Sequence, residues 1–337
     1  MANFCDQGLS IKCLINGTFL ETAIMASQNA SKYTDFTLLG YSLPHEAKIL
    51  FFSMVLVSYC VTLVANTLII IVVKMNSNLQ IPMYIFLCNF SALEIGYTSV
   101  IIPKMLSGLL FENVTISKYG CFTQFYFVFF SGSLENILLA IMGYDRYLAI
   151  CYPLHYPTLM NQNLCCLLAC ASWISGCLVP IMPTIWVSKL SFCYDMNIDH
   201  FFCDFGPLVK LSCSDTTMAV KTFFGHAWIL ILSCCAVTVV SYCYITVTIF
   251  KISSVINGRQ KAFSTCVSHF TVVSIFYGTI IFAYVRPSNA NTSYLDKTVA
   301  VFYSVVTPLL NPIIYSLRNT SIKMGVQNMI QKHWKKF

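Results

Sequence analysis

The chain has 337 residues, of which 57% are hydrophobic and only 10% charged, whereas soluble domains carry about 25% charged residues. That composition excludes a domain solvated by water on all sides and implies a lipid solvent. The net charge of +7 comes from basic residues scattered between long apolar runs, so a bilayer is the expected partner and nucleic acid is not.

Residues 1–46 form a polar amino-terminal segment with the sequons Asn16-Gly17-Thr18 and Asn29-Ala30-Ser31. The segment lacks the apolar core of a cleaved signal peptide, so the first membrane helix is expected to serve as the targeting signal. A crossing needs about 20 mainly apolar residues, and the charged side chains mark the limits of each one. The first span lies between Lys48 and Lys74.

The second span, about 82 to 103, contains Glu94, and the third, about 121 to 146, contains Glu135. An ionisable group inside a membrane is a functional hypothesis by default; a protonated acid hydrogen-bonded for packing is the alternative. A third sequon, Asn113-Val114-Thr115, lies between these spans. The third span ends in Asp145-Arg146-Tyr147, which reads either as interfacial anchoring or as a working site.

Tyr152-Pro153-Leu154-His155-Tyr156-Pro157 reads as a loop before a fourth span of about 164 to 186. Uncharged stretches between Lys221 and Lys251, Lys261 and Arg286, and Lys297 and Arg318 supply the fifth, sixth and seventh. A fourth sequon, Asn291-Thr292-Ser293, falls between the last two. The seventh ends Pro308-Leu309-Leu310-Asn311-Pro312-Ile313-Ile314-Tyr315. Its prolines break the helical ladder and its Asn is able to bridge the freed groups; a plain packing kink is the alternative.

The fold expected is an all-α membrane protein, a seven-transmembrane-helix bundle over residues 47–317 with a tail at 318–337. An odd number of crossings separates the termini. Ten basic residues fall on each side, but the carboxy-terminal side has one acid, Asp145, against ten on the other. This balance, with the sequons at Asn16, Asn29, Asn113 and Asn291, favours a cytoplasmic carboxy terminus; Asn89-Phe90-Ser91 and Asn319-Thr320-Ser321 fall elsewhere.

Of the 17 cysteines, 11 sit in apolar segments as small hydrophobes, leaving Cys5, Cys13, Cys121, Cys193, Cys203 and Cys213. His269 has no Cys or His at ligand spacing, and no catalytic triad, phosphate loop or acid–base carboxylate pair is visible. Neither an enzyme nor a bound cofactor is expected.

The run Met142-Gly143-Tyr144-Asp145-Arg146-Tyr147-Leu148-Ala149-Ile150-Cys151, taken with the Pro308–Asn319 segment, resembles rhodopsin-like G-protein-coupled receptors. Pro82-Met83-Tyr84-Ile85-Phe86-Leu87, Pro153-Leu154-His155-Tyr156, Ser241-Tyr242 and Lys261-Ala262-Phe263-Ser264-Thr265-Cys266-Val267-Ser268-His269 are similar more closely to the olfactory branch. The resemblance runs from about Asn29 to Asn319. Gly143, Leu148, Ala65 and Ile85 depart from the common pattern, and residues 1–24 look like an extension, with Met25 an alternative start.

The resemblance implies a glycosylated plasma-membrane odorant receptor of olfaction, with disulfides Cys121–Cys203 and Cys193–Cys213 on the oxidising outer side. It implies a small volatile ligand and a stimulatory olfactory-type heterotrimeric G protein as partners, with a rise in cyclic AMP. Counting helical turns from Arg146 puts Val128, Phe129, Gly132 and Ser133 on the ligand side of the third span. The corresponding positions are His226 and Leu230 on the fifth span, Tyr277, Ile280, Ile281 and Tyr284 on the sixth, and Val301 and Ser304 on the seventh; core packing is the other reading of each. Val128 stands where amine receptors carry an aspartate, which disfavours biogenic amines.

Asp145, Arg146, Tyr147, Tyr242, Asn311, Pro312 and Tyr315 would carry activation, with Lys251, Arg259 and Lys261 at the docking surface. Asn66, Glu94 and Glu135 would form an intramembrane polar network able to hold a sodium ion. The rivals are a rhodopsin-like receptor for a non-odorant small molecule and a small transporter, whose inverted repeats or second set of broken helices are not visible here.

Overall fold

The computed structural model describes residues 35–111, 114–193, 196–251, 256–285, 293–318 and 320–334. The sequon residues Asn16, Asn29, Asn113 and Asn291 and the 1–24 extension lie outside them, as do the side chains of Arg259 and Lys261.

Long apolar helices build the molecule. They are α1 (His45–Met75), α2 (Pro82–Leu110), α3 (Lys118–Cys151), the fourth span made of α5 (Gln162–Leu178) and α6 (Ile181–Ser188), and α8 (Thr217–Lys251). Short α4 (Tyr156–Leu159) precedes the fourth span, and α7 (Phe205–Lys210) precedes α8. The sixth span is α9 (Ile256–Val285); the seventh runs through α10 (Ser293–Val301), a wide π turn (Phe302–Val306) and α11 (Thr307–Arg318). Six helical stretches are long and apolar enough to cross a bilayer, and α9 adds the apolar stretch His269–Ile280. Val64, Ile229 and Phe250 face outward fully apolar, as a hydrocarbon solvent requires.

Local chemistry sets the ends. Pro82 occupies the first turn of α2, where its missing N–H has no intrahelical partner to lose. The Ser117 hydroxyl caps α3 by accepting from Gly120 N at 3.1 Å, and Asn161 Oδ1 caps α5 by accepting from Leu164 N at 2.9 Å. Proline also explains two irregularities. The fourth span is broken at Val179-Pro180. In the seventh, Pro308 has no N–H for the Ser304 carbonyl, and just before it the ladder widens, with Thr307 N donating to Phe302 O.

A small sheet of order β2-β1-β3 closes one end of the bundle: β1 (Asp35–Leu38), β2 (Val114–Ser117) and β3 (Asn197–Ile198). β1 runs antiparallel to β2, with Phe36 opposite Ile116, and parallel to β3, with Leu38 opposite Ile198. It ties the amino-terminal segment to two loops, and buries Phe36 and Ile198 completely.

At the opposite end, the segment read from sequence as a tail contains α12 (Thr320–Trp334). Ile322 and Gly325 are buried while Lys323 and Met324 are exposed. A Cβ on Gly325 would stand 2.7 Å from Val72 Cγ1, so only glycine lets α12 lie this close to α1.

Candidate functional site

A cavity of about 430 Å³ opens inside the bundle toward the sheet end. Its walls come from α3, α8, α9 and the seventh span, and its roof from the loop between α6 and α8. The walls are mainly aromatic and aliphatic. Phe205 of α7 stacks on Phe223 at 3.8 Å and 5°, and Phe129 meets the same ring at 5.0 Å.

Covalent and polar ties hold the roof. Cys121 is bridged to Cys203, and Cys193 to Cys213, the pairs implied by the resemblance. Buried Gln124 accepts from Cys203 N through Oε1 and donates to Val100 O through Nε2, both at 3.0 Å. It thereby fastens the bridge to α2 as well as α3. Lys297, nine-tenths buried, donates to Gly40 O at 2.6 Å and pairs with Asp199, joining the amino-terminal segment, the roof and the seventh span.

His200 sits beneath this roof, edge-on to Phe202 at 4.5 Å. Burial holds its imidazole below the ordinary histidine value; nearby Asp204 acts against that shift and Lys297 with it. A lowered folded-state value means that the opened loop binds more protons. The stability contributed by neutral His200 is therefore present above about pH 6.5 and lost as pH falls through the folded-state value. Thermal unfolding of solubilised receptor is expected to fall more steeply between about pH 7.5 and about pH 5 than that of His200→Leu; parallel profiles would contradict this.

Val128, Phe129, Gly132, Ser133, Leu230 and Ile280 line the cavity. Four other expected positions are not among its lining residues. His226 Nδ1 donates to Thr222 O at 2.7 Å, and the Ser304 hydroxyl donates to Ala300 O at 2.6 Å. Tyr277 is buried in the main core beside Phe276, and Val301 packs with the cluster around Tyr97 and Phe202. The side chains of Ile281 and Tyr284 lie outside the described residues. Turn-counting missed Tyr97, Asn136, Thr279 and Thr307, and also the roof residues His200 and Phe205. Asn136 was legible as a polar residue next to Glu135, whereas the roof depends on loop folding.

At the other end of α3, Asp145 is fully buried. Its carboxylate accepts from Arg146 Nη2 at 2.5 Å and Nε at 3.1 Å, and from the Tyr156 hydroxyl at 2.7 Å. Burial and the adjoining carboxylate push the Tyr156 phenol up, which keeps it a donor. The Tyr242 hydroxyl meets His269 Nδ1 at 2.6 Å, with the rings parallel to 6°. Tyr147 is half-buried between Tyr152 and Tyr244. Tyr315 is buried edge-on to Phe90, three residues past the buried Pro312. Between the two ends, Asn311 Nδ2 donates to Glu94 Oε1, while Asn66 Nδ2 donates within its own helix to Thr62 O at 3.0 Å.

The sequence of the whole bundle has clear relatives. A family profile described as "Olfactory receptor" matches residues 53–333. "Olfactory receptor 6S1" of Homo sapiens is 48% identical over 306 residues, covering 90% of this chain and 92% of its own. "Olfactory receptor 10A7" of Homo sapiens is 45% identical over 306 residues, with 91% and 96% covered. "Olfactory receptor 287" of Rattus norvegicus is 46% identical over 304 residues, with 90% and 97% covered. With a profile over most of its length, relatives at this identity and a bundle of membrane-spanning helices, the chain belongs to the olfactory receptor family, whose members are membrane receptors and not enzymes.

Proposed function

We propose that the protein works in the plasma membrane with its amino terminus outside, binds a small volatile odorant in the bundle cavity, and activates a stimulatory olfactory-type G protein to raise cyclic AMP. The observation that carries this reading is the cavity itself: about 430 Å³, apolar-walled, and roofed by a disulfide-held loop. Sites for small molecules have this size and character. The Asp145–Arg146 pair stands at the far end of the same helix that supplies Gly132 and Ser133.

The odorant acts by population shift, binding the active arrangement more tightly than the resting one. The inner end of α9 moves outward, the contact between Tyr242 and His269 rearranges, and Arg146 leaves Asp145 for the G protein. Turning a 1:99 mixture of states into 99:1 takes about 5.5 kcal/mol of differential binding, so a small ligand must use most of its contacts selectively.

The test is cyclic AMP in cells carrying the receptor and the olfactory stimulatory G protein, across a broad odorant panel, beside Arg146→Ala. The expected result is an odorant-dependent rise lost in the variant at equal surface expression. Silence of the surface-expressed receptor, or an undiminished response in Arg146→Ala, would overturn the reading.

A further inference from the structure

Hydroxyls and amides within these spans follow a regular pattern. Thr62, Thr98, Ser133, Thr238, Thr279 and Ser304 each donate to the carbonyl four residues back, which satisfies a polar group where no water competes. Asn66 and Asn89 likewise direct Nδ2 to the carbonyl four residues back, and Asn89 Oδ1 also accepts from Trp173 Nε1 at 2.9 Å.

At two residues that line the cavity, a side-chain oxygen is left outside this pattern. Thr307 Oγ1 is buried with no hydrogen-bond partner among the described residues. The π turn explains this: Thr307 N reaches back five residues to Phe302 O, so the ladder carbonyl four back, at Tyr303, is displaced from its usual place. Asn136 Nδ2 is committed to Gly132 O at 3.0 Å, which fixes the amide orientation and leaves Oδ1 buried without a partner among the described residues. Both side chains are more than nine-tenths buried. Glu135 Oε1, on the same turn as Asn136 and also lining the cavity, is a third such atom.

From these two unpartnered oxygens on the wall of one cavity we infer that they form a hydroxyl-recognition subsite, and that the receptor selects odorants bearing an alcohol or phenol group over carbonyl compounds with the same carbon skeleton. A ligand hydroxyl donates to Asn136 Oδ1 and accepts from the Thr307 hydroxyl, so one group supplies both missing partners. An aldehyde, ketone or ester oxygen is an acceptor only. It can take the Thr307 proton but sets lone pairs against Asn136 Oδ1 and leaves that acceptor unpaired. Because a buried polar group is expensive to leave unmatched, the discrimination expected is about 10- to 100-fold in potency. The rings of Phe129 and Phe223 give a carbon skeleton area without direction, so the ligand orients with its hydroxyl at Asn136 and Thr307 and its hydrocarbon against those rings.

This inference rests on the odorant reading, and its test separates the two. Cyclic AMP is measured for matched probes: linear, branched and cyclic alcohols, each with the aldehyde or ketone, the methyl ether and the primary amine of the same skeleton. Wild type is compared with Asn136→Leu, Thr307→Val and Thr307→Ser, all at matched surface expression. Among skeletons that elicit a response, the alcohol is expected to be at least about 10-fold more potent than its carbonyl or ether partner. Asn136→Leu should bring the alcohol toward the carbonyl compound without weakening the latter; Thr307→Val, which removes the donor that both oxygens use, should weaken both while the alcohol stays ahead, and Thr307→Ser should restore potency. Carbonyl compounds or ethers equal to alcohols, an Asn136→Leu variant that lowers both alike, or a Thr307→Val variant that lowers neither, would overturn the subsite while leaving the odorant reading intact. Amines outranking alcohols would overturn it in favour of charge recognition at Glu135. Silence of every probe at a surface-expressed receptor counts against the odorant reading itself.

Discussion

Cys203→Ser is expected to remove most of the receptor from the cell surface, measured by antibody against an amino-terminal tag on unpermeabilised cells. The bridge closes 82 residues of chain and joins the head of α3 to the loop that roofs the cavity. By loop-closure entropy, such a cross-link contributes about 4 kcal/mol, a large part of the 5–15 kcal/mol that holds an ordinary domain folded. Cys203 is also completely buried, and its amide is the donor to Gln124, so loosening it frees the contact to α2 at the same time. The second bridge closes only 20 residues on an exposed part of the loop. Its loss in Cys213→Ser is worth about 1 kcal/mol less on the same scale, and surface receptor should fall less. Equal surface levels for Cys203→Ser and wild type, or a larger loss in Cys213→Ser, would contradict the assignment of the first bridge as the principal clamp.

The second large effect is expected at Gly132. A Cβ added there meets no atom within 4 Å among the described residues, and the residue lines the cavity wall. Gly132→Phe therefore has room for its Cβ and projects a ring into the cavity where the ligand sits. Replacing glycine within a helix also removes a conformational-entropy penalty of a few tenths of a kcal/mol or more, so folding does not suffer. Odorant potency should drop by at least about 100-fold at unchanged surface expression, because occluded volume removes most of the apolar contact area of a small ligand. Gly108→Phe is the control: it too meets open space, but away from the cavity. Retained potency in Gly132→Phe would place the ligand elsewhere.

Much of the bundle was readable because lipid imposes a one-dimensional rule. Charges cannot sit cheaply in hydrocarbon, so Lys48 and Lys74, or Lys221 and Lys251, bracket spans that the structure forms as α1 and α8. Helical periodicity carried the α3 wall too, because Val128, Phe129, Gly132 and Ser133 share one rigid helix with Arg146. The sheet was not legible: four-residue strands alternate too briefly to stand out, and the partners of Phe36 lie in distant loops. Nor was the register of the seventh span. The π turn before Pro308 rotates the segment that precedes it relative to Arg318, and Tyr303 lines the cavity where Val301 and Ser304 were expected. Reading 318–337 as a tail missed α12, whose burial depends on the contact of Gly325 with Val72, a fact of packing and not of composition.

The central claim, that the odorant occupies this cavity and that occupancy drives signalling, is tested most directly by residue-resolved thiol labelling of Gly132→Cys in membranes, with and without an agonist found in the cyclic AMP screen. The account predicts that agonist slows labelling at position 132 in proportion to its potency while leaving labelling of Gly108→Cys unchanged. Labelling at position 132 that is indifferent to a saturating agonist would contradict it.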